Sequence, residues 1–372
     1  MKLKDKISWL MGSVQRSLFP HLDECLDVPL TEQEKRLVTI LEIVQVERHV
    51  RKRASTQWLG RKNLEREALA RSFVAKDLYR HPTTRDLIRA LESTENLRII
   101  CGFMTLGDVP SESTFSRAFA EFATSDLGNR VHGTLVKDYL AGELIGHISR
   151  DATAITGREK PAKKIKEAKK PSKKRGRPAK DEHREPAPEK RLDRQVSQSA
   201  EEAINELPTA CDRGTKMNAK GYKTSWNGFK LHLDITDVGL PISALVTSAS
   251  LHDSQVAIPL IKLTSGKVTY FYDLMDAAYD AERIYEASRQ LNHIPIIDRN
   301  GRGKEVIPMP PHEAERYKGR SVAERANSRL KEDFGANNVM VRGATKVTMH
   351  LMFGVITLFA DQLIQNPITF SH

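Results

Sequence analysis

Four polar residues near the C-terminus, Tyr317, Arg320, Glu324 and Lys331, follow the spacing Tyr-x2-Arg-x3-Glu-x6-Lys. At about 100° per residue these positions fall within roughly 60° of one another on a helix. Val322, Ala323, Ala326 and Leu330 fall on the opposite side. The spacing predicts a helix over residues 316–334 that packs through small apolar residues and displays a phenol, two cations and one carboxylate in line. Guanidinium and ammonium groups bind phosphate, and a carboxylate is a hard oxygen ligand. A plain surface helix laced with salt bridges is the bland alternative. The small apolar residues, suited to close approach to a sheet, speak against it.

The elements around this stripe alternate. LIGHISRDATAI (144–155) reads as a strand that delivers Asp151 near its end. KTSWNGFKLHLDITD (223–237) and LPISALVTSAS (240–250) form a hairpin turned at Asp237-Val238-Gly239, with Trp226 expected on the sheet edge. A helix is expected at 254–264, a strand at 267–276, a helix at 280–291, a short strand at 293–298 and a last helix at 345–365. A short helix at 199–207 precedes the hairpin. The pattern is α/β, a mixed sheet with helices on its faces.

Residues 1–147 read as all-helical. Thr31 and Glu34 make a capping box before Leu37, Ile40, Leu41 and Val44, and further helices are expected at 63–79 and 84–93. In CGFMTLGDVPSESTFSRAFAEFA (101–123) a Gly-containing turn leads to Ser111, a good N-cap. The helix after it puts Phe115, Phe119 and Phe122 on one side and Ser113, Ser116 and Arg117 outward. Two helices around a short turn fit a helix-turn-helix reader of DNA, and equally an ordinary helical bundle.

Lys plus Arg number 59 against 48 Asp plus Glu, a net of +11. Twelve basic and two acidic residues lie between Gly157 and Lys180, so this one segment carries almost the whole excess. From 157 to about 195 the chain is too polar to build a core and is expected to be a disordered basic linker. Such a block meets a polyanion, most often nucleic acid, or is a solvated linker with no partner. Within it, KKRGRPAK (173–180) resembles an AT-hook, whose Arg175 and Arg177 suit a narrow A·T-rich minor groove. The longest apolar run, Leu351–Ala360, is shorter than the roughly 20 residues that span a bilayer, so no membrane is expected. Neither a signal peptide nor a disulfide framework from Cys25, Cys101 and Cys211 is expected, and a reducing cytoplasm fits.

Taken in order, these blocks resemble bacterial insertion-sequence transposases of the DDE type, in which Tyr317, Arg320, Glu324 and Lys331 match the Y-R-E-K signature. SRDATAI resembles the strand holding that family's first Asp, and MDAAYDA its D-x-x-Y-D segment. WNGFKLHLDITD with TSASLHDS resembles the hairpin between them, and residues 98–122 the N-terminal DNA-binding region. The likeness covers residues 80–365 and implies an RNase H-like catalytic region over 148–372 behind a helical DNA-binding region over 1–147.

It implies catalysis and metal binding by Asp151, Asp276 and Glu324. Two Mg²⁺ ions, with Mn²⁺ able to substitute, need several carboxylates at one point. Asp273 rivals Asp276, but only Asp276 fits the D-x-x-Y-D spacing with Tyr279 and Asp280. His252-Asp253 either caps the next helix or reaches the site. Tyr317, Arg320 and Lys331 would hold DNA phosphates. The implied partners are double-stranded DNA, as element ends and target, and further copies of the chain in a homodimer or higher oligomer. The implied place is the bacterial nucleoid. A nuclease without strand transfer and an inactive DNA-binding repressor are the alternatives.

Overall fold

The computed structural model describes residues 28–51, 66–161, 189–217, 221–301 and 308–365. Among the described residues, six helices come first: α1 (Glu32–Val44), α2 (Arg66–Leu78), α3 (Thr84–Ser93), α4 (Glu95–Cys101), α5 (Glu112–Thr124) and α6 (Leu127–Leu140). α1 opens on the expected capping box, in which Thr31 and Glu34 satisfy each other's backbone N–H. On α5, Phe115, Phe119 and Phe122 turn inward and meet Phe73 of α2 edge-on at 5.0–6.3 Å between ring centroids. Pairs in this geometry add about 0.5–1.5 kcal/mol each beyond their burial.

The sheet contains β1 (Leu144–Thr156), β2 (Asp212–Met217), β3 (Lys223–Thr236), β4 (Pro241–Ser248), β5 (Thr269–Met275) and β6 (Ile294–Ile297). Its order is β2-β3-β1-β5-β6, and β4 continues the edge beside β3. β1, β3 and β4 are antiparallel neighbours, whereas β5 and β6 run parallel to β1. This is the RNase H-like arrangement. The β3–β4 hairpin turns where expected, at Gly239, whose φ of +88° suits glycine.

Between and after the strands come α7 (Arg191–Ser197), α8 (Ala200–Asn205), α9 (Ser254–Ser265), α10 (Glu282–Gln290), α11 (Pro311–Tyr317), α12 (Ser321–Glu332) and α13 (Ala344–Gln365). α9 and α10 cover one face of the sheet around Ile258, Ile261, Met275 and Ile284. α12 lies on β1 and β3 from the other face. Strand alternation along β1 therefore divides two charged neighbours. Asp151 points to α12, and Arg150 points to the α9–α10 side.

α13 has the length and apolarity of a membrane span, yet 83% of its most apolar window is buried inside the protein. It contacts α1, α2, α5 and α6 as well as β4. One apolar core thus runs from Leu37 through Ile145 of β1 to Leu363. Asp361 on α13, fully buried, takes ion pairs from Arg36 of α1 and Arg329 of α12. The helix carrying Glu324 is thereby tied to the helical region.

Two expectations need correction, and one strand is unanticipated. The helix over 316–334 is not continuous, because α11 stops at Tyr317, a 3-10 turn spans Lys318–Arg320, and α12 starts at Ser321. The cause is Gly319, packed so close to the sheet that a Cβ would lie 2.7 Å from His147 Cε1. Disorder to residue 195 is also wrong, because α7 folds with Leu192 and Val196 against the α9–α10 core and Gln195 buried. An extra edge strand, β2, pairs with β3 through residues 212–217. Arg175 and Arg177 lie outside the described residues.

Candidate active site

β1 and β5 pair in parallel with Ser149 opposite Leu274. Two residues further on, Asp151 and Asp276 stand abreast where β5 ends. Asp276 then caps the 3-10 turn Ala277–Tyr279 by accepting the Ala278 N–H at 2.9 Å. Asp151 accepts a hydrogen bond from Asn327 Nδ2 of α12 at 2.9 Å, and its second oxygen faces Arg320 at 3.7 Å. Burial pushes the Asp151 carboxyl up to about 6; Arg320 works against that rise and Asp276 adds to it. Asp276 therefore lies within electrostatic reach of the Asp151 carboxyl.

Arg320 is the centre of the stripe. One of its nitrogens faces Asp151 and the other donates to Glu324, while the guanidinium lies 5.9 Å from the Tyr317 ring centroid. Burial opposes its charge, but Tyr317, Asp151, Glu324 and Asp276 together raise its pKa. The nitrogen facing Asp151 is buried and makes no hydrogen bond. Burial likewise pushes the Tyr317 phenol up to about 12. Lys331 stands further along α12, its pKa lowered by burial and by Lys216 of β2, with Asp151 opposing.

The structure thus brings together Asp151, Asp276, Tyr317 and Arg320. Glu324 reaches this group only through Arg320, and its side chain is 57% exposed. Among the described residues no three His, Cys, Asp or Glu side chains stand close enough to hold a metal. The pair Asp151 and Asp276 nevertheless fits a hard divalent cation. Mg²⁺ takes one or two carboxylates and keeps waters or substrate oxygens for the rest of its shell.

Asp273 has other work. It is fully buried, 3.3 Å from Arg150, and accepts Ser288 Oγ at 2.7 Å and Tyr270 Oη at 3.2 Å. Asp253 pairs with Lys230 at 2.7 Å, and His252 bonds Ser254. Ser113, Ser116 and Arg117 are exposed on α5, as expected, with Arg117 folded back onto the Ser113 carbonyl. Trp226 packs over Gly214 of β2 and donates to the Phe229 carbonyl.

Sequence reasoning missed two residues here. Asn327 follows Glu324 by three positions, one helical turn, and the same periodicity that found the stripe puts it beside Asp151. Lys216 carries no signal of its own, because β2 is a polar edge strand without alternation.

A family model described as a transposase DDE domain matches residues 208–360. Another, described as a transposase domain (DUF772), matches residues 25–121. The first spans Asp276 and Glu324, the second spans Ser113, Ser116 and Arg117, and Asp151 lies in neither. No curated protein and no solved structure matches the chain.

Proposed function

Because the chain belongs to the DDE transposases, we propose that it binds the terminal inverted repeats of an insertion sequence, cuts a DNA strand and joins the freed 3′-OH to target DNA. The observation that supports this reading is that Asp151 on β1 and Asp276, the residue just after β5, each lie two positions past the paired Ser149 and Leu274, with the Asp151 carboxyl against the helix that bears Glu324. Asp151 and Asp276 would hold a divalent cation, Mg²⁺ or Mn²⁺, and Glu324 would complete the set once released from Arg320. When bound, such cations supply Lewis acidity and activate the attacking oxygen for in-line displacement at phosphorus.

The chain's own groups do the positioning. Asn327 fixes one oxygen of Asp151 and so sets the rotation of its carboxyl. Arg320, already charged and half-buried, exchanges carboxylate partners for a DNA phosphate, which a planar guanidinium grips bidentately. That exchange frees Glu324. Lys331 and Tyr317 hold the backbone on either side, and Ser113, Ser116 and Arg117 of α5 read base edges of the terminal repeat. Arg175 and Arg177 of the basic segment extend the grip in a minor groove.

Strand transfer tests the reading. The full chain with Mg²⁺ is given pre-cut ends, taken from the DNA flanking its gene, and a supercoiled target. Covalently joined products are expected. Hydrolysis of DNA with no joined product would replace this reading with that of a nuclease.

A further inference from the structure

A second basic feature lies away from the carboxylates, in a cleft of about 610 Å³ between the helical region and the segment that follows α12. Five basic side chains line it, Lys76, Arg85, Arg158, Arg342 and Lys346, against two acidic ones, Asp77 and Glu112. Glu112 is taken by Arg85 at 2.7 Å. Arg342 and Lys346 are exposed and have no acidic partner among the described residues, and Arg158 donates only to the Met340 carbonyl. At the depth of the cleft Lys76 is 6% exposed, and its Nζ finds no hydrogen-bond acceptor. Asp77 faces it as an ion-pair partner at 3.6 Å, beyond hydrogen-bond reach; burial pushes that carboxyl up and Lys76 opposes the rise.

A buried ammonium without an acceptor is costly. A rim of unpaired cations above it invites an anion that supplies several oxygens at once. The cleft also continues the exposed face of α5, since Ser116 belongs to both. Arg158 on its lip opens the strongly basic segment 157–180. A duplex lying on α5 would therefore run its backbone along this rim.

We propose that this cleft is a phosphate-binding site that grips the backbone of duplex DNA, with Arg158, Arg342 and Lys346 on the rim and Lys76 at its depth. It rests on the DNA-binding reading above and assigns where the backbone is held, apart from the carboxylate site.

The test is binding of the full chain to duplex DNA carrying its end sequence, followed across a salt series. In the double variant Arg342→Ala/Lys346→Ala, both positions being exposed, the slope of log affinity against log salt should fall by about 1.8, at about 0.9 per phosphate contact. Lys76→Gln should lower it by about 0.9 with the wild-type circular dichroism spectrum retained. Removing as much charge at the exposed Lys137 and Arg289, outside the cleft, should leave the slope unchanged. A wild-type slope in the double variant overturns the cleft and leaves DNA binding standing. An equal fall in the Lys137/Arg289 control also overturns it, because bulk charge then suffices. Wild-type protein that binds no DNA overturns both the cleft and the reading beneath it.

Discussion

Asp151→Asn is expected to lower Mg²⁺-dependent DNA cleavage by on the order of 10³-fold or more while leaving DNA affinity nearly unchanged. The amide keeps the shape of the carboxyl and can still accept from Asn327, but it loses the charge that holds a cation. A metal acting as Lewis acid is worth several kcal/mol at the transition state, and each 1.36 kcal/mol is tenfold in rate. Affinity rests on cations that touch phosphate, which the substitution does not remove. Parallel measurement of cleavage rate and binding on one end sequence checks this. Cleavage within tenfold of wild type would remove Asp151 from the metal site.

Arg150→Met should act on the fold. Arg150 is fully buried, donates to both oxygens of Asp234 at 2.7 Å and stands 3.3 Å from Asp273. Thr264 adds a hydrogen bond to Asp234 and Ser288 one to Asp273, so β1, β3, β5, α9 and α10 meet at this guanidinium. Removing it takes the guanidinium from two core carboxylates and leaves only His293 near Asp273 and Lys267 toward Asp234, a loss of about 3–5 kcal/mol. A large fall in the urea midpoint is expected. Asp276→Asn, near the surface of the same sheet, should leave that midpoint close to wild type. Equal midpoints for Arg150→Met and wild type would show that the buried cluster contributes nothing to stability.

The contrast between adjacent residues explains what the sequence makes legible. The run 144–155 reads as a strand, and periodicity two then dictates that Asp151 and Arg150 face opposite ways. The D-x-x-Y-D spacing separates Asp276 from Asp273, and the structure puts Asp276 beside Asp151 and Asp273 in the core. The capping box of α1, the aromatic face of α5 and the turn at Gly239 follow from local chemistry that needs no distant partner.

The misread elements depend on partners far along the chain. Gly319 is visible as a weak point in a helical pattern, but the tightening to a 3-10 turn comes from its approach to His147, 172 positions earlier. α7 hides its apolar pair, Leu192 and Val196, in a charged background, and only the α9–α10 surface gives them burial. β2 is almost wholly exposed and exists because β3 extends beyond β4 and offers an edge. The angular arithmetic that groups Tyr317, Arg320, Glu324 and Lys331 assumes one unbroken helix. With the 3-10 turn at 318–320 between them, Arg320 stands 3.7 Å from Asp151 and pairs with Glu324 one helical turn further on.

The metal centre can be mapped directly. In the protein–DNA complex Fe²⁺ is substituted for Mg²⁺, and ascorbate with peroxide then cuts the polypeptide next to the bound ion. Cuts are expected near residues 151, 276 and 324 together, all lost in Asp151→Asn. Cuts centred on residues 252–253 or elsewhere, or a pattern that survives Asp151→Asn, would contradict a metal site built on Asp151, Asp276 and Glu324.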